Sequence, residues 1–190
     1  MKRLFIAVDI SEQARNLAAK YIAELRARFS DLRVGWERPE KLHLTLKFLG
    51  DTGAEQIDEI CDRLTEVAAT TDPFRLRLIG NGAFPSRDDA RVLWLGINDA
   101  EEKLGRLVAA INKKLAGIGV EPDKRKFSSH LTIARIREPR DSRSLVAAHL
   151  ATQYEPVEFE VSDLVLYESQ LKPTGSVYFK LAIFPFTAKT

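Results

Sequence analysis

Two of the chain's three histidines sit in matched stretches, "LHLTLKFLG" at residues 42–50 and "SHLTIARI" at residues 129–136. Each stretch reads His-Leu-Thr followed by an aliphatic residue. With ten threonines among 190 residues, chance puts a Thr two places after a given His about one time in nineteen, and after both about one time in four hundred. An imidazole beside a hydroxyl can take and give a proton while the hydroxyl donates a hydrogen bond. Two such pairs facing across a cleft suit in-line displacement at phosphorus. One ring accepts a proton from the attacking oxygen and the other gives a proton to the departing one. An unperturbed imidazole titrates near 6.5, which allows both roles around neutral pH. The Thr hydroxyls would hold the non-bridging phosphate oxygens. A zinc site is the weaker reading, because two histidines with no matching Cys or carboxylate pattern leave the metal short of ligands.

The elements that must present these pairs can be read from periodicity. In a strand, residues i and i+2 share a face. His43 and Thr45 therefore point one way, with Leu44 and Leu46 opposite, and His130 and Thr132 oppose Leu131 and Ile133. By the same alternation Lys47 joins the face of His43, where it reads as a solvent-exposed lysine. "RLFIAVDI" is a strand, and Ser11 then caps a helix carrying Leu17, Ala18, Tyr21, Ile22 and Leu25. Helical stripes recur over residues 54–70 and 100–117, with a short helix at "RSLVAAHL". "LRVGWERPE" reads as a short strand and turn, "FRLRLIG" and "RVLWLGI" as strands. Two β-rich runs, "VEFEVSDLVLYES" and "SVYFKLAIFPF", flank the turn "KPTG". Many adjacent strands on short connections predict an α+β fold with antiparallel sheets, not a doubly wound parallel sheet. The two motifs lie close to half a chain apart, which suits a two-lobed, pseudo-symmetric fold. No linker is long enough to mark a domain boundary, so residues 1–190 read as one domain.

Composition sets wide bounds. The chain is 45% hydrophobic and 29% charged, with a net charge of +2, ordinary for a folded protein and permissive of an anionic ligand. Lone Cys61 excludes an internal disulfide and fits a reducing compartment. The apolar run Leu4 to Val8 ends at Asp9, too short for a signal peptide, and no stretch is long enough for a membrane span. The expectation is a cytoplasmic protein with no membrane association. Basic residues crowd both motifs in "ERPEKLHLTLK", "KRKFSSH" and "ARIREPR". Taken singly, each such run is a solvated loop. His149 reads as a helix-surface or packed residue, Trp36 and Trp94 as core, and Cys61 as structural. Tyr167 and Tyr178 could line the cleft.

"HLTLKFLG" and "FSSHLTIAR", with the opening "RLFIAVDI" and the late "LKPTGSVY", resemble the 2H phosphoesterase superfamily. The likeness is to its LigT/ThpR branch, the RNA 2′,3′-cyclic phosphodiesterases also called 2′-5′ RNA ligases, and it runs over nearly the whole chain. The resemblance implies two intertwined, pseudo-symmetric lobes, each with an antiparallel sheet and helices on the outside, around a central cleft lined by the motifs. It also implies metal-independent hydrolysis of a terminal 2′,3′-cyclic phosphate to a 2′-phosphate, with 2′-5′ joining as the reverse reaction. By that likeness His43 and His130 are the catalytic pair and Thr45 and Thr132 bind phosphate, with no metal and no cofactor. His130 would activate water and His43 protonate O3′. Arg135 matches a phosphate-binding arginine of the family, five places after the second His. Strict alternation puts it on the face opposite His130, so likeness and pleat conflict unless the strand bulges. The alternative is a solvated or carboxylate-paired arginine. Phe48 holds the equivalent place after the first His, as a base-stacking or a core residue. The implied substrate is RNA with a 2′,3′-cyclic phosphate terminus, a tRNA-half-like fragment or an oligonucleotide, acted on by a monomer. The competing function is an RNA-end or nucleotide-binding module with little turnover.

Overall fold

The structure is a computed structural model in which residues 1–123, 126–173 and 175–187 are described. Lys124 and Arg125 of the basic run and Thr174 of the late turn lie outside them. The element order is β1 (Lys2–Asp9), α1 (Glu12–Arg28), β2 (Val34–Trp36), a 3-10 turn (Pro39–Lys41), β3 (His43–Thr52), α2 (Ala54–Ala69), β4 (Phe74–Phe84), β5 (Val92–Asn98), α3 (Lys103–Ala116), β6 (His130–Ile136), α4 (Arg143–Ala151), β7 (Val157–Val161), β8 (Asp163–Lys172) and β9 (Gly175–Pro185). The strands form two sheets, ordered β3-β1-β8-β9 and β2-β6-β5-β4-β7. Every pairing is antiparallel, as the short connections predict. No helix among the described residues is long and apolar enough to cross a membrane.

Local chemistry explains the elements. The Ser11 hydroxyl accepts from the Ala14 amide at 3.2 Å and caps α1, whose Ala14, Ala18, Tyr21, Ile22 and Leu25 are buried. That stripe recurs at three- and four-residue spacing, and each large aliphatic side chain withdrawn from water contributes about 1.5–3 kcal/mol. β4 alternates buried Phe74, Leu76 and Leu78 with exposed Arg75 and Arg77. In register, these arginines face Glu160 and Glu158 of β7, a favourable cross-strand charge pattern.

One expected strand run divides. "VEFEVSDLVLYES" breaks at Ser162, so that β7 pairs with β4 in one sheet and β8 with β1 in the other. The two sheets thus each take strands from both halves of the chain. β1, between β3 and β8, is buried on both faces. Leu4, Ile6 and Val8 join the main core, while Phe5 and Ala7 join a smaller cluster with Val165 and Tyr167. The two motif strands, β3 and β6, approach each other where the sheets meet.

Candidate active site

The motif strands share one burial pattern. From the His onward, six residues run half-buried, buried, half-buried, buried, buried, exposed in both β3 and β6. The first four positions follow the expected alternation, with His and Thr together and the aliphatic residues in the core. The two consecutive buried positions mark a bulge. In β6 the register against β5 steps from Trp94–Thr132 to Leu93–Ala134, leaving Ile133 unpaired. In β3 the register against β1 steps from Ala7–Thr45 to Ile6–Lys47, leaving Leu46 unpaired. An extra residue reverses the parity of the residues after it. Arg135 and Phe48, each five places after a His, therefore return to the face of that His. This removes the conflict between alternation and the expected role of Arg135.

Lys47 departs from its expected exposure for the same reason. The bulge turns it away from the His43 face, and it is only 2% exposed. Its ammonium donates to the Glu121 carbonyl at 2.8 Å and lies 3.5 Å from the Asp123 carboxylate. It thereby ties β3 to the loop that leads into β6. Phe48 is 67% exposed, so it is not a core residue.

His43, Thr45, Phe48, His130, Thr132 and Arg135 all line one cavity of about 320 Å³. Both rings are oriented by backbone. His43 Nδ1 lies 2.6 Å from the Lys41 carbonyl and His130 Nδ1 lies 2.8 Å from the Ser128 carbonyl, in each case two residues earlier. A carbonyl only accepts, so Nδ1 carries the proton in both and Nε2 is the nitrogen left to gain or lose one. His43 Nε2 is 3.0 Å from the Thr45 hydroxyl, which donates to it when the ring is neutral. Burial lowers the pKa of both imidazoles from its ordinary value, and Arg135 pushes each the same way. For His43 the Lys41 carbonyl and the Asp9 charge oppose burial without overcoming it.

Aromatic walls fix the rings further. His43 stacks on Phe5 at 4.9 Å and on Tyr167 at 5.7 Å, with Tyr178 edge-on at 5.4 Å. Tyr167 donates to Asp9 at 2.6 Å, and Asp9 also binds Lys180 at 2.6 Å. His130 meets the edge of Phe84 at 5.0 Å and Trp94 at 6.4 Å. Trp94 in turn lies over Gly82, where a Cβ would fall 2.2 Å from its ring. The Arg15 guanidinium on α1 donates to the carbonyls of Pro39 and Leu42 and so sets the entry into β3.

The cavity is charged for an anion. Among the described residues, Arg3, Lys41 and Arg135 line it against one carboxylate, that of Glu37. Glu37 was not anticipated from sequence. Its backbone N–H donates to the carbonyl of the bulged Ile133 at 2.9 Å, and its carboxylate lies 3.5 Å from Arg135 Nε. It therefore steadies both the bulge and the guanidinium that the bulge redirects. Phe5, Lys41 and Tyr178 also line the cavity; of these, sequence reasoning raised only Tyr178, although the i, i+2 pattern of Phe5, Ala7 and Asp9 in β1 was available. His149 is fully buried and does not line the cavity; it is held between Tyr21 and the Gly82 carbonyl. No cluster of three or more His, Cys, Asp or Glu side chains suited to a metal occurs among the described residues.

The chain was compared with known proteins. The LigT like Phosphoesterase family matches it in tandem, over residues 8–94 and 95–178. An Archaeoglobus fulgidus protein called RNA 2′,3′-cyclic phosphodiesterase is 36% identical over 185 residues, covering 96% of this chain and 99% of its own. One of the same name from Methanothermobacter thermautotrophicus is 31% identical over 185 residues, covering 96% and 97%. A crystal structure from Thermus thermophilus superposes with a TM-score of 0.77 at 27% identity, covering 99% of this chain and 100% of that one. E. coli LigT complexed with 3′-AMP gives a TM-score of 0.73 at 26% identity, covering 98% and 99%. With one motif strand inside each matched half and its relatives matched from end to end, the chain belongs to the LigT-like phosphoesterase family.

Proposed function

We propose that the protein hydrolyses 2′,3′-cyclic phosphate ends of RNA to 2′-phosphates, using His43 and His130 as its acid–base pair. The observation that carries this reading is the convergence of both imidazoles, each with Nδ1 tied to a carbonyl, on one cavity lined by cations. The names of the relatives support the substrate. Water attacks phosphorus in line with the P–O3′ bond. His130 Nε2 takes the water proton as the new P–O bond forms, and the P–O3′ bond breaks as His43 Nε2–H protonates O3′. The resting contact between His43 and Thr45 supports this order. When Nε2 is protonated it donates to the Thr45 oxygen, and the Thr45 O–H is released toward a phosphate oxygen. Thr132 and Arg135 hold the other non-bridging oxygen, and Phe48 stacks on the terminal base. The residues supply acid and base from side chains alone, so the reaction needs no added metal. The same groups run the reverse, 2′-5′ joining, by microscopic reversibility. The reading carries with it a monomer acting in the cytoplasm.

The test is digestion of a cyclic-ended RNA in the presence of chelator. The expected product is a 2′-phosphate end, and H43A and H130A should each lose about two to four orders of magnitude in kcat. A cyclic end that persists, or strict dependence on added metal, would refute it. Salt-sensitive RNA binding that survives both substitutions without turnover would favour a binding module instead.

A further inference from the structure

A second, larger depression opens directly from the catalytic cavity. Its volume is about 1050 Å³, roughly three times that of the site itself, and the two share Thr45, Phe48, His130, Thr132 and Arg135. Beyond those shared residues it runs between β5, α3 and the loop entering β6. Its walls carry Arg91 and Lys126, both exposed, and the rings of Phe84 and Phe127. The Arg91 guanidinium lies 3.5 Å from the Asp89 carboxylate in a solvent-exposed pair, which binds weakly and leaves its other N–H groups available. The carboxylate in the groove, Asp123, is 3.5 Å from the Lys47 ammonium. Asn112 lines the groove as well.

We propose that this groove binds the nucleotides immediately preceding the cyclic end, so that a single-stranded RNA is a better substrate than a cyclic mononucleotide. The proposal rests on the hydrolysis reading above and extends it. A 2′,3′-cyclic terminus continues only through its O5′, so every further phosphate leaves the catalytic cavity on one side, and one groove suffices. Cations together with aromatic rings are what an unpaired strand needs, since phosphates take the charges and base faces take the rings. The groove is too large to be explained by the terminal nucleotide, and it joins the site at Phe48, the base-stacking position.

The experiment compares kcat/KM for a nucleoside 2′,3′-cyclic monophosphate and for a trinucleotide with the same cyclic end, in wild type and in R91A/K126A. Each phosphate neutralised on a single strand steepens the salt dependence by about 0.7 in log–log slope, so two contacts add about 1.4. The advantage of the trinucleotide should therefore shrink about sevenfold between 50 and 200 mM salt. In the double variant that advantage and its extra salt slope should both vanish, with mononucleotide turnover unchanged. Equal kcat/KM at both lengths, or a length advantage untouched by the double substitution, would overturn the groove while leaving the reaction standing. If no cyclic end is opened at all, the reaction proposed above fails by itself. Anisotropy of a labelled trinucleotide ending in 2′-phosphate then decides the groove: weaker binding by R91A/K126A supports it, and unchanged binding overturns it.

Discussion

The two imidazoles should place the pH optimum on the acid side of neutrality. In the proposed mechanism productive enzyme needs one ring neutral and the other protonated, and kcat/KM reports these states in the free enzyme. Burial lowers both pKa values from their ordinary value near 6.5, with Arg135 acting in the same sense. The acid then loses its proton below pH 6.5, and the maximum lies between the two values, also below 6.5. Because the rings share a cavity, the two apparent values belong to the pair. Above the upper one a single proton is lost, so kcat/KM should fall about tenfold from pH 7 to 8 and about a hundredfold from 7 to 9. The assay is hydrolysis of a nucleoside 2′,3′-cyclic phosphate from pH 4.5 to 9 at constant ionic strength. Substituting the acid also removes the limb it causes. H43Q should flatten the alkaline limb, and a 3′-deoxynucleoside 2′-(4-nitrophenyl phosphate), whose nitrophenolate takes the place of O3′ and departs without protonation, should restore much of its rate. H130Q should flatten the acid limb and gain nothing from that ester. A plateau between pH 7 and 8, or a maximum above 7, would show that burial does not govern these rings. Rescue of H130Q in place of H43Q would exchange their roles.

Two predictions concern the supports of the site. Gly82→Ala sets a methyl 2.2 Å from the Trp94 ring, which with Phe84 braces His130. Overpacking of this kind costs about 1–3 kcal/mol, or about 2–4 °C in Tm for each kcal/mol at this size. Thermal unfolding should show that loss alongside reduced kcat, and a variant as stable and active as wild type would refute the bracing. Buried His149 donates from Nε2 to the Gly82 carbonyl at 3.0 Å and accepts at Nδ1 from Tyr21 at 2.9 Å, and burial holds its pKa below 6.5. The unfolded chain takes up this proton first, so stability is full above about pH 6.5. It then falls with pH by up to about 1.4 kcal/mol per unit until the folded pKa is reached. His43 and His130 act in the same direction, so the comparison is with H149Q, whose urea midpoint should shift less between pH 7.5 and 5.5 than that of wild type.

What could be read from the sequence divides along a physical line. A property of one strand, such as the shared face of His43 and Thr45, follows from a period of two and needs no partner. The same holds for the cap at Ser11 and the helical stripes. A property of strand pairing does not. The break at Ser162 follows from which neighbours β7 and β8 take, and nothing within "VEFEVSDLVLYES" alone marks it. The bulges are the decisive case. Whether a residue is extra depends on the strand opposite it, here Trp94 and Leu93 for Ile133, and Ala7 and Ile6 for Leu46. The apolar pair Ile133–Ala134 hinted at two successive core positions, but Leu46–Lys47 hid the same feature, because the second buried side chain carries a charge that reaches Glu121 and Asp123. Strict pleating would have sent Phe48 and Arg135 away from their histidines. The unpaired residues Leu46 and Ile133 bring both back, and each lies just beyond its threonine, where a bulge alters the fifth position after the His and leaves the first three residues intact. The two strands thus solve one geometrical problem in the same way with different residues, an aromatic on one side and a cation on the other. A single nucleotide end presents the same pair of needs, a base to be stacked upon and a phosphate to be neutralised.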